Sequence, residues 1–132
     1  MKRTVLICDD VPFVRKTLRD ILVAAHFTVV GEAETGTQAF EMYCKLKPDV
    51  VTMDIVMPEM SGIEATKKIV KRDKDAKVVV ISAMGQEQLI MEAIGVGAKD
   101  YVQKPFNAQD ILKAIDNALN GADKLTSRSA SA

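Results

Sequence analysis

The sequence has 132 residues, a length that fits one domain with a sizeable buried core. Its 18 basic and 18 acidic residues give a formal net charge of zero, whereas proteins that bind nucleic acids more often carry a basic excess or stripe. This balance argues against a nucleic-acid partner. No apolar run approaches the roughly 18 residues of a membrane helix, which argues against a membrane protein.

Short apolar runs alternate along the chain with segments whose apolar residues recur three and four positions apart, the spacing of a helix face. The runs are rich in β-branched residues, as buried parallel strands are, and cover residues 5–8, 28–30, 50–53, 78–81 and 101–102. The helical segments cover residues 14–25, 39–46, 63–70, 89–94 and 111–119. Five strand–helix units predict an α/β fold in which helices cover both faces of a parallel sheet.

Turn and capping residues fall between the predicted elements. Pro12 suits the first turn of helix one, Ser61 and Gly62 precede helix three, and Asn107 is expected to cap helix five. After residue 120 the composition changes to Gly, Ser, Ala and Thr. We therefore assign residues 1–120 to one domain and residues 121–132 to a flexible C-terminal tail.

The start of the chain does not have the pattern of a signal peptide, because Asp9 and Asp10 interrupt the first apolar stretch at once. A cytoplasmic protein is therefore expected. The two cysteines, Cys8 and Cys44, follow no ligand or redox spacing. In a reducing compartment both are expected to be buried thiols.

Polar residues follow the predicted strands at their carboxyl ends, the edge at which open parallel sheets bind ligands. Strand one ends in Asp9 and Asp10, strand three in Asp54 and strand four in Ser82, while Lys104 follows strand five. If strands one and three are neighbours, three carboxylates crowd a small volume, and their repulsion requires a cation or protons. Oxygen ligands without histidine or cysteine favour a hard cation such as Mg²⁺.

Asp54 is then a candidate nucleophile that attacks phosphorus to give an acyl phosphate. Such a transfer needs positive charge on the equatorial phosphoryl oxygens and little covalent help. Mg²⁺ supplies part of that charge, and Lys104 with the Ser82 hydroxyl supplies further contacts.

Together these residues resemble the receiver domain of two-component response regulators. The resemblance spans residues 2–120 and is carried by an ordered set: Asp9-Asp10, Asp54, Met57-Pro58, Gly62, Ser82-Ala83 and Lys104-Pro105. Each motif alone is weak, whereas the set in this order is highly specific. The resemblance implies a flavodoxin-like, CheY-like fold with five parallel strands in the order 2-1-3-4-5 and five helices.

The resemblance also implies a role for each residue of the acidic edge. Asp54 is the expected phosphorylation site of a phosphoacceptor that assists its own phosphorylation and dephosphorylation but is not an enzyme. Asp10, Asp54 and the main-chain carbonyl of Val56 are expected to bind magnesium, with Asp9 acting through a water. Lys104 is expected to bridge to the phosphoryl group, and in the family its bond to the following proline is commonly cis.

Two further positions match the switch residues of the family. Ser82 stands where a hydroxyl moves toward the phosphate, and Tyr101 stands where an aromatic ring changes between outward and inward positions. The surface formed by helix four, strand five and helix five is then expected to differ between states. For Tyr101, plain packing is an equally good explanation.

Each site residue also has a simpler structural interpretation. Asp9 or Asp10 alone would cap the first helix, and Asp54 alone would be a turn former before a proline. Ser82 would cap a helix, and Lys104 would be a solvated loop lysine. The ordered set is what favours the functional interpretation of these residues.

Two residues depart from what fast hydrolysis of an acyl phosphate requires. Val56 lies two positions after Asp54 and Met84 two positions after Ser82, and neither side chain can hydrogen-bond an attacking water. In the family these two positions influence the hydrolysis rate. We therefore expect slow self-dephosphorylation and a dedicated phosphatase as partner.

Residues 54–60 and 82–86 are similar to chemotaxis regulators of the CheY type. This similarity implies a monomeric messenger between a chemotaxis histidine kinase and the flagellar motor switch protein. One alternative is a receiver from a larger regulator with a DNA-binding or enzymatic output domain. A second is an aspartyl-nucleophile phosphatase of the haloacid dehalogenase type, although its acids are spaced Asp-x-Asp whereas Asp9 and Asp10 are adjacent. No glycine-rich nucleotide-binding motif is present.

Overall fold

The computed structural model describes residues 2–121 as five parallel strands in one sheet, in the order β2-β1-β3-β4-β5, with a helix after each strand. The predicted fold and strand order are confirmed. The elements are β1 (Thr4–Cys8), α1 (Pro12–Ala24), β2 (Thr28–Ala33), α2 (Gly36–Leu46), β3 (Val50–Asp54), α3 (Gly62–Arg72), β4 (Val78–Ser82), α4 (Glu87–Gly95), β5 (Asp100–Gln103) and α5 (Ala108–Leu119). Apart from Gly121, the predicted tail lies outside the described residues.

The strands β1, β3 and β4 form the centre of the sheet and are buried on both faces. Side chains alternate along each strand, so Val5 and Ile7 enter one hydrophobic core while Leu6 and Cys8 enter the other. Each fully buried aliphatic side chain stabilises the fold by about 1.5–3 kcal/mol. This double burial explains why the strands are nearly uninterrupted apolar runs.

The two cores separate the helices into two layers. Buried residues of α1 and α5 line one core, and buried residues of α2, α3 and α4 line the other. The helix faces follow the predicted apolar spacing, as Leu18 and Leu22 of α1 show. Within the described part of the chain, no helix has the length and apolar character needed to cross a membrane.

The edge strand β2 is longer than predicted. The apolar run covers residues 28–30, whereas the strand extends from Thr28 to Ala33. At the edge of the sheet its residues are half-exposed, so Gly31 and Glu32 are accommodated although they break the apolar pattern. A register shift between Val5 and Leu6 of the neighbouring strand adds an irregularity that periodicity does not reveal.

The predicted helix starts are confirmed where capping chemistry marks them. Pro12 occupies the first turn of α1. Asn107 caps α5 in a capping box with Asp110, each side chain accepting a hydrogen bond from the other residue's N–H. Of the two cysteines, Cys8 is buried as expected, whereas Cys44 is partly exposed, because its place on α2 leaves it at the rim of the core.

Gly62 sets the distance between α3 and the end of β3. A Cβ atom at this position would lie 1.9 Å from the main-chain oxygen of Asp54, closer than any side chain permits. The N–H of Gly62 donates a hydrogen bond to the carbonyl of Ile55 at 2.7 Å. Glycine is therefore required here, since the start of α3 packs directly on the backbone that carries Asp54.

Candidate functional site

Three aspartates meet where the two neighbouring strands β1 and β3 end. Cys8 pairs with Met53 in the sheet, so the residues that follow them emerge side by side. One carboxylate oxygen from each of Asp9, Asp10 and Asp54 lies within 4.8 Å of the other two. Asp9 is fully buried and Asp54 nearly so, whereas Asp10 is exposed. The acidic cluster therefore opens to solvent on the side of Asp10.

Asp9 is held by hydrogen bonds on all sides. Its N–H donates to the carbonyl of Ala33 at 3.0 Å, and its own carbonyl accepts from Nη1 of Arg15 at 2.8 Å. One carboxylate oxygen accepts from the N–H of Val11 at 2.8 Å, and the other lies 3.4 Å from Nζ of Lys104. Val11 itself is the N-cap of α1 and makes no side-chain cap, so Asp9 shapes the turn before the helix rather than capping it.

Lys104 brings positive charge to the cluster from the end of β5. Its Nζ lies 3.4 Å from Asp9 and 3.7 Å from Asp54. Its main-chain N–H donates to the carbonyl of Ser82 at 2.7 Å, which fixes the loop to the end of β4. The peptide bond between Lys104 and Pro105 is cis, as the resemblance predicts. The lysine is thus an ion-pair partner of the cluster rather than a solvated loop residue.

The environment of Asp54 raises its pKa to about 6. Burial is the largest cause, followed by repulsion from Asp9, with a smaller contribution from Asp10. The charge of Lys104 and a hydrogen bond from the N–H of Val56 act in the opposite direction. Desolvation and like charge therefore outweigh the effect of Lys104, and the negative charge of Asp54 is only partly compensated.

Ser82 ends β4 beside the acidic cluster with an unsatisfied hydroxyl. Its side chain is fully buried, and its Oγ has no hydrogen-bond partner in the structure. A buried hydroxyl without a partner costs about 1–3 kcal/mol. Thr52 and Thr66 also have buried hydroxyls without a partner, but of these three only Ser82 stands at the carboxyl end of a strand, the edge at which open parallel sheets bind ligands.

The remaining predicted residues lie on the loops and strand around the cluster. Tyr101 is half-buried on β5 and packs against the core beneath α2, α3 and α4. Val56 and Met84 are 57% and 75% exposed, so both present apolar side chains to solvent on the loops that follow β3 and β4. The switch role of Tyr101 and the metal-binding role of the Val56 carbonyl stay predictions.

Arg15 is a residue of this region that sequence reasoning did not single out. It contacts the carbonyl of Asp9 and pairs with Glu32 and Glu34, which lie seventeen and nineteen positions away in the chain. A signal for it was present, because Glu32 and Glu34 are two apart and therefore point to the same side of an extended segment. Their link to a helix-one arginine required the fold.

The donor set of the cluster fits a hard divalent cation. Within the described residues, this group of three carboxylates offers oxygen ligands alone, the chemistry that Mg²⁺ prefers. A cation there would relieve the repulsion that raises the pKa of Asp54. The exposure of Asp10 leaves one side open, as an ion that keeps several waters requires.

Comparison with known proteins agrees with this geometry. The sequence of residues 5–116 matches the family model of the response regulator receiver domain. The chemotaxis protein CheY of Thermotoga maritima is 51% identical over 116 residues, which are 88% of this chain and 97% of that protein. CheY of Bacillus subtilis is 50% identical over 120 residues, which are 91% of this chain and 100% of that protein.

Solved structures give the same result. The crystal structure of the response regulator domain of Thermotoga maritima CheB has a TM-score of 0.84 at 37% identity, covering 91% of this chain and 98% of that chain. The CheX-CheY-BeF3-Mg+2 complex from Borrelia burgdorferi has a TM-score of 0.82 at 36% identity, covering 86% of each chain. The chain therefore belongs to the response regulator receiver domain family and is a receiver of the chemotaxis CheY type.

Proposed function

We propose that this protein carries a chemotaxis signal as a phosphoryl group on Asp54. It receives the group from a histidine kinase in a Mg²⁺-dependent reaction in the cytoplasm and, as a monomer, binds a flagellar motor switch protein. Receivers of the CheY type are signalling proteins rather than classical enzymes. The single observation that supports the proposal most strongly is the convergence of Asp9, Asp10 and Asp54 with Lys104 at one sheet edge.

Asp10, Asp54 and the main-chain carbonyl of Val56 would hold the magnesium ion, with Asp9 acting through a water. The fixed position of Asp9 supports this division, because its two carboxylate oxygens already contact the N–H of Val11 and Lys104. When bound, the ion neutralises charge on the carboxylates and on the phosphoryl oxygens. Asp54 is assigned as the carboxylate that reacts, since it ends β3 close to both the other two acids and Lys104.

In the transfer, a carboxylate oxygen of Asp54 forms a bond to phosphorus while the bond from phosphorus to the donor's imidazole nitrogen breaks. The electron pair of that bond stays with the imidazole, and the product on this chain is an acyl phosphate. Lys104, 3.7 Å from Asp54, would contact a phosphoryl oxygen, and the unpaired Ser82 hydroxyl would donate to another. With a pKa of about 6, Asp54 is mostly ionised at neutral pH and ready to attack.

The chemistry is tested by replacing the reacting carboxylate. Incubation of wild-type protein with acetyl phosphate and Mg²⁺ at pH 7.5 is expected to add one phosphoryl group, detected by intact-mass spectrometry. Asp54→Asn removes the nucleophile and should add none, while Asp75→Asn, an exposed aspartate in the loop before β4, should label like the wild type. Excess EDTA should abolish labelling. Equal labelling of Asp54→Asn would refute the assignment of Asp54.

The repulsion within the acidic cluster makes a prediction for stability without metal. The pKa of Asp54 is about 6 in the folded protein, whereas that of a free aspartate side chain is 3.8. Folding therefore takes up a proton between these values, so the wild type loses stability as pH rises through this window. The Asp54→Asn variant has no ionisable group at this position, so it does not lose stability in this way. At pH 7.5 in EDTA this variant should be more stable by about 1–3 kcal/mol.

Urea denaturation at pH 4 and pH 7.5 measures this difference. The advantage of Asp54→Asn should be largest above pH 6 and should shrink toward pH 4. Saturating Mg²⁺ should stabilise the wild type more than the variant, because the ion replaces the missing compensation. A variant that is less stable than the wild type at pH 7.5 in EDTA would show that Asp54 is not under electrostatic strain.

The lifetime of the acyl phosphate depends on the side chains around it. Val56 and Met84 are exposed and apolar, so neither orients a water for attack on phosphorus. We expect slow self-dephosphorylation and a separate phosphatase partner. The solved complex of Borrelia burgdorferi CheY with CheX supports a further protein partner for receivers of this type.

The double variant Val56→Asn/Met84→Glu should shorten the phosphoryl lifetime roughly tenfold, since polar groups there can position and activate a water. Phosphorylated protein is separated from the donor, and the decay is followed by intact mass. Val23→Asn/Met91→Glu places the same residue types at exposed apolar positions on α1 and α4, outside the β3–α3 and β4–α4 loops, and should leave the lifetime unchanged. An unchanged lifetime in the first variant would discard this explanation.

The phosphoryl group would change the surface of α4, β5 and α5 through Ser82 and Tyr101. Phosphorylation adds about two negative charges, which would draw the buried Ser82 hydroxyl toward them. The space released lets Tyr101 turn inward from its half-buried position. A cleft of about 570 Å³ lies beside this region, lined by Tyr101, Lys104 and Lys113 among others. A partner that prefers one arrangement then favours phosphorylation in return.

Tyr101→Ala is expected to remove the gain in affinity for the motor switch protein on phosphorylation while leaving acetyl phosphate labelling intact. Tyr101→Phe keeps the ring and should retain most of that gain. Calorimetry with phosphorylated and unphosphorylated protein measures the ratio of affinities for each variant. An undiminished ratio in Tyr101→Ala would mean that the ring only packs.

A further inference from the structure

Arg15 connects the acidic turn to the edge strand of the sheet. Its side chain on α1 is only 12% exposed. Nη1 donates to the main-chain carbonyl of Asp9 at 2.8 Å, while Nε and Nη2 lie 3.2 Å and 3.3 Å from Glu32 and Glu34. All three nitrogens of the guanidinium group are therefore committed. The nearby Arg19 is 44% exposed and pairs with Glu32 alone among these acceptors.

The carbonyl that Arg15 holds belongs to the peptide group between Asp9 and Asp10. Because this peptide group is planar, holding its carbonyl constrains ψ of Asp9 and φ of Asp10, and through them the directions in which the two side chains leave the backbone. Glu32 and Glu34 hold the guanidinium in turn, so β2 is connected through Arg15 to the turn that carries two of the three cluster acids. Outer contacts of this kind orient metal ligands, and their loss typically weakens metal binding 10- to 100-fold.

We propose that Arg15 is a positioning residue that presets the Asp9–Asp10 turn for the divalent cation. The inference rests on the proposed function, because it assumes that the acidic cluster binds Mg²⁺. Arg15 touches neither carboxylate of the turn by any described contact, and its effect is transmitted through the Asp9 carbonyl. The planar fork of arginine matters here, since a single ammonium group cannot serve the carbonyl and two glutamates at once.

The sign of the change in metal affinity separates positioning from simple charge. Removing a positive charge near an acidic cluster makes the cluster more attractive to a cation, so an electrostatic effect alone would tighten Mg²⁺ binding. Losing the preset turn would weaken binding instead. Arg19→Met measures the first effect by itself, because it removes the same charge from the same helix and the same glutamate without touching Asp9.

The test is a titration of the full chain with MgCl₂, followed by amide NMR shifts of the cluster residues, with no phosphoryl donor present. Arg15→Met should raise the Mg²⁺ dissociation constant about tenfold, at the low end of the range for outer contacts. Arg19→Met should leave it unchanged or slightly lower. Arg15→Lys should fall between wild type and Arg15→Met, because its ammonium group can still reach one acceptor.

Urea denaturation in EDTA accompanies the titration, so that a loss of stability is measured separately from a loss of affinity. If Arg15→Met does not fold, Arg15→Lys, which keeps the positive charge but cannot serve the carbonyl and both glutamates at once, should still raise the dissociation constant at least threefold. Wild-type affinity in these variants would overturn the positioning role while leaving the proposed function intact. A wild type whose cluster amides do not respond to Mg²⁺ would instead overturn the proposed function.

Discussion

The chemistry of the site depends on the mutual repulsion of three carboxylates, which the fold holds at the ends of two neighbouring strands. Asp9 and Asp54 are both buried, and Asp10 lies within 4.8 Å of both. Lys104 compensates only part of this charge, as the rise in the pKa of Asp54 to about 6 shows. The sheet forces the acids together through the pairing of β1 with β3, and hydrophobic burial on both faces supplies the free energy that opposes the repulsion.

Sequence reasoning found the central strands because their burial on both faces leaves continuous apolar runs such as residues 78–81 of β4. It did not give the strand order, since periodicity carries no information on which strands pair; the order came from the resemblance of the whole motif set. The edge strand β2 was predicted too short because half-exposed residues such as Glu32 carry no apolar signal. The site residues were found by their place after strands, a rule that holds for any open parallel sheet.

Contacts between distant parts of the chain could not be predicted from the sequence. The hydrogen bond from Arg15 to Asp9 joins residues only six apart, but its orientation depends on Glu32 of β2 and on Glu34, which follows that strand. The orphan hydroxyl of Ser82 is likewise invisible in the sequence, because satisfaction of a buried group depends on every neighbour in space. Contacts of this kind are determined by tertiary packing, whereas the type of each element, helix or strand, is indicated by the local sequence pattern.

A second buried carboxylate of the described chain shows why incomplete compensation points to function. Asp100 is as fully buried as Asp9, yet its two oxygens accept hydrogen bonds from the side chain of Asn117 at 3.1 Å and the N–H of Tyr101 at 2.8 Å. Asp54 has like charges as neighbours, and Ser82 has no hydrogen-bond partner. Burial of a polar group alone therefore does not mark a site. What marks this site is that two buried groups at one edge of the sheet lack partners: Asp54 lacks sufficient positive charge, and the Ser82 hydroxyl lacks an acceptor. A divalent cation and a phosphoryl group would together supply both.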